Sequence, residues 1–479
     1  MQEIIKITQA VPSNEMFRMA APVNFTLYDG EHIAVCGPNG GGKSLFVNIL
    51  TGSLPLRSGM VEYAFSSRQP VADNICCLKL QDVGGAVASS YYQQRWNKWD
   101  DTFFPTVMEV LQQKAEGCKN GVRNAVEYWV DQFSARDLLY KTVNLLSSGE
   151  SRKFQLLKCL LSAPSILVID NPFIGLDSAT RRTFVRLLER IKEQVSLFLI
   201  VSRAEDIPDF ITHVLSVEKR IVGEKVPRQN FLEKGAFMSE IRLPESSVYR
   251  ETEPVGLPIV ECNGVTVRYD GFTILDRLDW TVRRGEHWAL TGENGAGKST
   301  LLSLVYADNP QAYACDIRMF GLRRGRGESI WDVKRRIGYV SPEMFNAFRR
   351  PSPALDIVVG GLRDSVGSYG TFSAEERKTA AEWMRCFRLE HLSHRNYMQL
   401  ADGERRMILL VRAFVKSPEL LILDEPFQGL DSRQVSVAKA VIDEYMRQPD
   451  RTLIIVTHSL QDLPQCIDHT LHLSRNKQP

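Results

Sequence analysis

Two α/β domains in tandem, each built on a largely parallel sheet, are what the 479-residue sequence predicts, and three features carry the prediction. The chain repeats itself: NFTLYDGEHIAVCGPNGGGKSLFVNILTG (24–52) is matched by DWTVRRGEHWALTGENGAGKSTLLSLVYA (279–307). Apolar stretches of strand length, ILVID and SLFLIV in the first copy and LLILD and TLIIV in the second, alternate with helical segments. Uninterrupted apolar strands set between helices indicate a sheet covered on both faces. In each copy a glycine-rich turn also joins a strand to a helix, the usual place for a ligand in such sheets.

The repeat stays in register over a long span. Lys43 and Lys298 are 255 residues apart, Asp170 and Asp424 are 254 apart, and so are Asp177 and Asp431. That is a duplicated domain, not a short solenoid repeat. The domains are read as 1–221 and 258–479. Residues 222–257, with prolines, mixed charge and no strong periodicity, read as a linker with one short helix near 229–242.

Composition narrows the function classes. Hydrophobic content of 44% and charged content of 24% are those of a globular protein with real cores. A net charge of +2 gives no global basic excess of the kind nucleic-acid binders show. No apolar run approaches the ~20 residues of a membrane span, and the start MQEIIKITQAVPS lacks the pattern of a signal peptide. Nine cysteines without CxxC spacing point to reduced thiols in a cytoplasmic protein, with Cys36, Cys76 and Cys77 as small apolar fillers.

The chemistry sits in the repeated words. GPNGGGKS (37–44) and GENGAGKS (292–299) both fit GxxxxGK[ST], the loop of P-loop NTPases. Gly37, Asn39, Gly40 and Gly42, and their counterparts Gly292, Asn294, Gly295 and Gly297, allow backbone N–H groups to surround phosphate oxygens at a helix N-terminus. Lys43 and Lys298 would reach the β- and γ-phosphates; Ser44 and Ser299 would ligate Mg²⁺, with Thr300 following in the same turn. Asp170 and Asp424, each closing an apolar strand, would hold that Mg²⁺ through water. ATP and Mg are therefore the expected ligands. One residue further on the copies part: Glu425 can polarise an attacking water, whereas the neutral Asn171 cannot accept its proton.

With these landmarks the chain resembles the ATP-binding cassette (ABC) ATPase family over nearly its whole length. The resemblance implies, in each copy, an antiparallel β subdomain and a helical subdomain beside the parallel sheet. It places the family's signature at LSSGE (146–150) and LADGE (400–404), so Ser147 and Gly149 become nucleotide ligands while Ala401 and Asp402 depart from the pattern. It makes His458 the switch histidine, replaced by Arg203 in the first copy. It also nominates Gln81 in CCLKLQD as a metal-site glutamine, for which the second copy offers Ser341 or Pro342, and Tyr269 as the adenine-stacking ring.

Cassettes of this family close head to tail, so each phosphate loop faces the other cassette's signature. On that scheme the degenerate residues Asn171, Arg203, Ala401 and Asp402 share one site, and Glu425, His458 and the Ser147 signature share the other. Asp402 would also repel phosphate, at roughly 3 kcal/mol per charge pair ~5 Å apart in an effective dielectric of ~20. The expected outcome is one hydrolytic and one mostly nucleotide-holding site. A nucleotide-gated binding module with little turnover remains the alternative.

The basic run 322–336 with Arg349 and Arg350, and the aromatic run 89–105, are read first as a solvated face and as packing, with nucleic acid or a partner protein as alternatives. The short linker and single glutamate speak against the soluble translation-factor class of cassette proteins, and the lack of zinc-spaced cysteine pairs against the UvrA-like repair class. The words GEHW, GKSTLLSLV, FGLRRGRGESIWDVKRRIGYVS, DNPFIGLD and DEPFQGLD resemble the ModF-like tandem ATPases associated with molybdenum transport. That resemblance implies cytoplasmic ATP hydrolysis, peripheral at the inner face of a membrane, with separate transmembrane permease subunits as partners and nucleic acid the less expected one.

Overall fold

The computed structural model describes residues 2–65, 70–79, 104–116, 123–231, 241–244, 254–269, 272–323, 329–364 and 372–475. The chain divides into two compact units, Met1–Gly235 and Ala236–Pro479.

In the first unit, β1 (Glu3–Pro12), β2 (Val23–Tyr28) and β4 (Leu56–Tyr63) make a three-stranded antiparallel sheet in the order β2-β1-β4. The main sheet runs β5-β6-β7-β3-β8-β9, with β3 (Ile33–Cys36), β5 (Ile75–Lys79), β6 (Ile166–Asp170), β7 (Ser196–Val201), β8 (His213–Glu218) and β9 (Ile221–Pro227). Its neighbours are parallel except at the β8/β9 edge. Strands β3 and β7 are buried along their whole length, as their unbroken apolar sequences require.

The second unit repeats the plan. β10 (Pro258–Tyr269), β11 (Phe272–Arg283), β13 (Asp316–Met319) and β14 (Leu322–Arg323) form an antiparallel sheet. β12 (His287–Gly292), β15 (Ile337–Val340), β16 (Leu420–Asp424), β17 (Thr452–Val456) and β18 (His469–Leu473) form an all-parallel sheet in the order β15-β16-β17-β12-β18. Helices Ala354–Val359, Ala374–Cys386 and Asp402–Phe414 supply the helical part and bury Trp383, Phe387 and Phe414 with Tyr397 and Tyr445 in one aromatic core.

Two expectations change. Residues 222–227, inside the stretch read as linker, belong to β9, where Lys225 donates to Glu31 at 2.6 Å. The alternation of apolar and charged residues in IVGEKVP was the sign of an edge strand. Past the turn Arg228–Asn230, most of the helix expected near 229–242 lies outside the described residues, while Ile241 and Leu243 pack on the second unit's core. The expectation of uniformly reduced thiols also fails. Cys76 of β5 and Cys159 of the helix Ser148–Leu160 form a disulfide with a Cα–Cα distance of 6.3 Å. Both residues are only partly buried where that strand packs on the helix.

Candidate nucleotide site

Each phosphate loop leaves the C-terminal end of a parallel strand and turns into a short helix, Lys43–Leu50 or Lys298–Val305. The first glycine of each loop admits no side chain. A Cβ at Gly37 would stand 2.0 Å from the Val217 carbonyl oxygen, and one at Gly292 would stand 2.1 Å from that of Leu473. The last glycines, Gly42 and Gly297, start the helices from the left-handed region at φ 105° and 93°, a conformation side chains resist. Gly40 and Gly295 share that region at φ 73° and 82°. The result is a concave run of backbone N–H groups at the positive end of a helix.

The lysines lie over their own loops. Lys298 Nζ donates to the carbonyls of Gly292 (2.7 Å) and Glu293 (2.8 Å). Lys43 Nζ donates to those of Gly37 (2.6 Å) and Pro38 (3.0 Å) and reaches Ser202 Oγ at 3.4 Å. Ser202 in turn donates to Asn39 Oδ1 at 3.0 Å, fixing the loop's first polar residue from a neighbouring strand end. Ser44 and Thr300 lie in the first turns of the two helices, and Asn294 in the second loop.

At the ends of β6 and β16 the two copies share a backbone and differ in chemistry. Asn171 and Glu425 both adopt positive φ, 49° and 51°, each before a proline. Their amides donate to corresponding carbonyls, Ile200 (2.9 Å) and Val456 (3.0 Å). Side chains held in such a conformation mark places where the fold over-determines the backbone. In the second unit Ser299 Oγ donates to Asp424 Oδ2 at 2.9 Å. Burial lifts the Asp424 carboxyl to about 6, with the charge of Glu343 adding to the rise. Glu425 Oε1 stands 3.2 Å from His458 Nε2. Burial, then the Asp424 charge, pushes its carboxyl up to about 8. In the first unit Asn171 Nδ2 donates to Asp170 Oδ1 at 3.0 Å, so the amide engages the very carboxylate that would serve a metal. Arg203, half-buried, precedes a turn at the end of β7.

The hydroxyl and carboxylate that meet at Ser299 and Asp424 are the hard oxygen donors Mg²⁺ prefers, and the adjoining loop would bring phosphate oxygens and water. The residues fit that ion.

The signatures begin helices in both units. Ser147 Oγ accepts from the Glu150 amide at 3.4 Å, and Glu150 accepts from the Ser147 amide at 2.9 Å, a capping box. Gly149 follows in the same turn. Ala401 has no side-chain oxygen to offer, and its amide donates to Glu404 at 2.9 Å. Asp402 is not the bare charge the sequence suggested: Arg405 Nη1 lies 3.6 Å away. The repulsion assigned to it is correspondingly reduced. Asp177 and Asp431 cap the helices Ser178–Ile191 and Ser432–Met446. Tyr269 ends β10, half-buried, its hydroxyl accepting from Asn309 Nδ2 at 2.7 Å. Gln81 and residues 89–103 of the aromatic run lie outside the described residues, as do residues 324–328 of the basic run.

Lys79 pairs with Asp170, and Val340 pairs with Leu423, so the next residue, Ser341, is level with Asp424 and lies buried there. The sequence reading gave no place to Glu343, whose charge acts on Asp424.

Comparison with known proteins agrees with this geometry. The family model described as ABC transporter matches residues 20–174 and again 275–428. The chain belongs to the ABC transporter ATP-binding family, carries its cassette twice, and is an ATPase. It is 32% identical to the ABC transporter ATP-binding protein ModF of Escherichia coli (strain K12), over 93% of this chain and 92% of the relative. An uncharacterised ABC transporter ATP-binding protein of Schizosaccharomyces pombe is 29% identical over 100% of this chain and 99% of its own. Among solved structures, the archaeal ribosome recycling factor aABCE1, in complex with the stalk protein aP1, superposes with a TM-score of 0.56 at 17% identity, covering 97% of this chain and 87% of that one. That likeness concerns the fold.

Proposed function

We propose that the chain is a cytoplasmic tandem ATPase that hydrolyses ATP–Mg at its second phosphate loop and mainly holds nucleotide at its first. The observation that carries this reading is the contrast at one backbone position. Glu425 is a partly buried carboxylate beside His458, its proton affinity raised by burial and then by the Asp424 charge; with a cation offsetting that charge it would ionise and could take a proton from the attacking water. Asn171 has no such capacity and donates to Asp170 instead. Mg²⁺, held by Ser299 and Asp424, would supply charge neutralisation at the phosphates. Lys298 and the loop amides orient the γ-phosphate, His458 fixes the carboxylate, and the signature beginning at Ser147 completes the site when the cassettes pair as the family's do.

The first loop keeps Lys43, Ser44 and Asp170 and lacks a base, which suits binding without turnover. The similarity to ModF over 93% of the chain supports a place as the energy-supplying component of a transport system, molybdate-type by that resemblance, with separate permease subunits. Among the described residues no helix is long and apolar enough to cross a membrane, so the spans would come from those partners. Steady-state phosphate release tests the assignment: Glu425→Gln should remove nearly all turnover and Asn171→Ala little of it. Equal losses in both would refute it. Co-purification with membrane subunits, set against ribosomes and DNA, tests the transport role.

A further inference from the structure

The bond between Cys76 and Cys159 has a counterpart in the second unit, and the counterpart is not a bond. In β5 Cys76 pairs with Leu167, and in β15 Gly338 pairs with Leu421. Leu167 and Leu421 are 254 residues apart, as are Cys159 and Ala413, which is also the spacing of Asp170 and Asp424. Gly338 and Ala413 meet closely: a Cβ at Gly338 would stand 2.3 Å from the Ala413 carbonyl oxygen. One strand-to-helix contact is thus filled by close backbone packing in the second unit and by two sulfur atoms in the first.

The helix Ser148–Leu160 carries Cys159 near its end and the signature at its start, where Ser147 is the N-cap. Leu156, Leu157 and Leu160 bury its inner face. Its first half is already anchored, because buried Arg152 donates to the Pro172 carbonyl at 2.7 Å and to that of Ile174, in the segment that follows Asn171. The Cys76–Cys159 bond adds a covalent anchor at the other end, on the strand that lies beside β6. Both cysteines are only partly buried, within reach of a small thiol or disulfide, and the exposed Cys77 next to them keeps a free thiol.

We propose that Cys76 and Cys159 are a thiol–disulfide switch that slows ATP turnover by fixing the signature helix of the first unit to β5. The inference rests on the reading that this signature completes the second site. The oxidant is a small-molecule disulfide. One cysteine thiolate attacks a sulfur of that oxidant and releases its other half as a thiol; the second cysteine then displaces the half that remains. Two cysteine thiols are oxidised, the oxidant is reduced to two thiols, and the protons that leave the cysteines end on those thiols. Disulfides of cytoplasmic proteins are usually transient bonds of this kind. Elements that close over a substrate must open again to release product, and a helix tied at both ends loses that freedom. The second unit, with Gly338 and Ala413 at the same contact, offers no such control.

The test uses the full chain, treated with oxidised glutathione or with dithiothreitol, and the bond is scored by mass spectrometry of the linked Cys76 and Cys159 peptides. Oxidation should slow steady-state ATP hydrolysis roughly tenfold, since a small displacement of a positioning element can cost up to ~10²-fold. Dithiothreitol should restore the rate. In protein carrying Lys43→Ala, the second loop should bind a fluorescent ATP analogue equally well in both states, because the bond touches neither phosphate loop. Cys159→Ala, which installs the second unit's residue, should abolish the redox response and keep the rate of the reduced parent. Cys77→Ser should keep the response.

Equal turnover in the two states overturns the proposal, as does faster turnover in the oxidised one. So does a bond that dithiothreitol does not open, or a response that survives in Cys159→Ala. A parallel loss of nucleotide affinity also overturns it, because that would mark a general distortion of the fold. Ser147→Arg in reduced protein tests the pairing of signature and second loop separately: full turnover there removes that reading, whereas absence of the redox response alone removes only the switch.

Discussion

Replacing Glu425 with glutamine keeps the side chain's shape and removes its titration, and the structure says what should follow. The Glu425 carboxyl is raised from an ordinary 4.5 to about 8, by burial and then by the Asp424 charge beside it. Below pH 4 it is protonated in both the folded and the unfolded chain and makes no difference between them. Between 4.5 and 8 the unfolded chain ionises it while the folded one keeps the proton, so its contribution to stability falls as pH rises. Above pH 8 the penalty is complete. A shift of this size corresponds to roughly 3–5 kcal/mol.

Glu425→Gln cannot ionise and escapes that penalty. In urea unfolding without nucleotide or metal, the variant should be more stable than the parent at pH 8 by a few kcal/mol, with the difference shrinking towards zero at pH 4.5. Steady-state ATP hydrolysis of the same variant should fall by about 10²–10³, the usual contribution of a general base. A gain in stability with lost activity is the signature of a strained, functional carboxylate. A variant equally stable at both pH values, or less stable at pH 8, would refute the reasoning.

Three further substitutions probe the scaffold. Cys159→Ser opens the disulfide whose partners are 83 residues apart; loop-closure entropy sets the loss at about 4.5 kcal/mol at most, read as a lower urea midpoint of the first unit. An unmoved midpoint would mean the bond contributes nothing. Gly292→Ala drives a Cβ to 2.1 Å from the Leu473 carbonyl and should abolish nucleotide binding at the second loop, measured with a fluorescent analogue after Lys43→Ala; retained affinity would mean the loop relaxes freely. Tyr269→Leu should weaken ATP binding there about tenfold, given ~1–3 kcal/mol for base–aromatic stacking, with an equal loss for GTP, since a ring face reads stacking and not base edges.

Much of this was legible in the sequence for a physical reason. The two phosphate loops, the apolar strands ending in Asp170 and Asp424, and the helix caps Ser147, Asp177 and Asp431 are local patterns, each dictated by a few neighbouring residues. So was the exchange of Glu425 for Asn171. The pairing of Cys76 with Cys159 was not, because it depends on a strand and a helix brought together across 83 residues. Nor was the influence of Glu343 on Asp424, because it depends on two strands brought side by side. The Arg405 partner of Asp402 could have been read from helical i,i+3 spacing. The strand β9 was hidden by the mixed charge and proline that made 222–257 look like a connector.

The central claim is that turnover at the second loop depends on the signature of the first copy and not on its own. Steady-state ATP hydrolysis by Ser147→Arg and by Ala401→Arg, measured side by side in otherwise unaltered protein, addresses it most directly. The account predicts near-complete loss for Ser147→Arg and most of the activity retained by Ala401→Arg. Full activity in Ser147→Arg with loss in Ala401→Arg would contradict it.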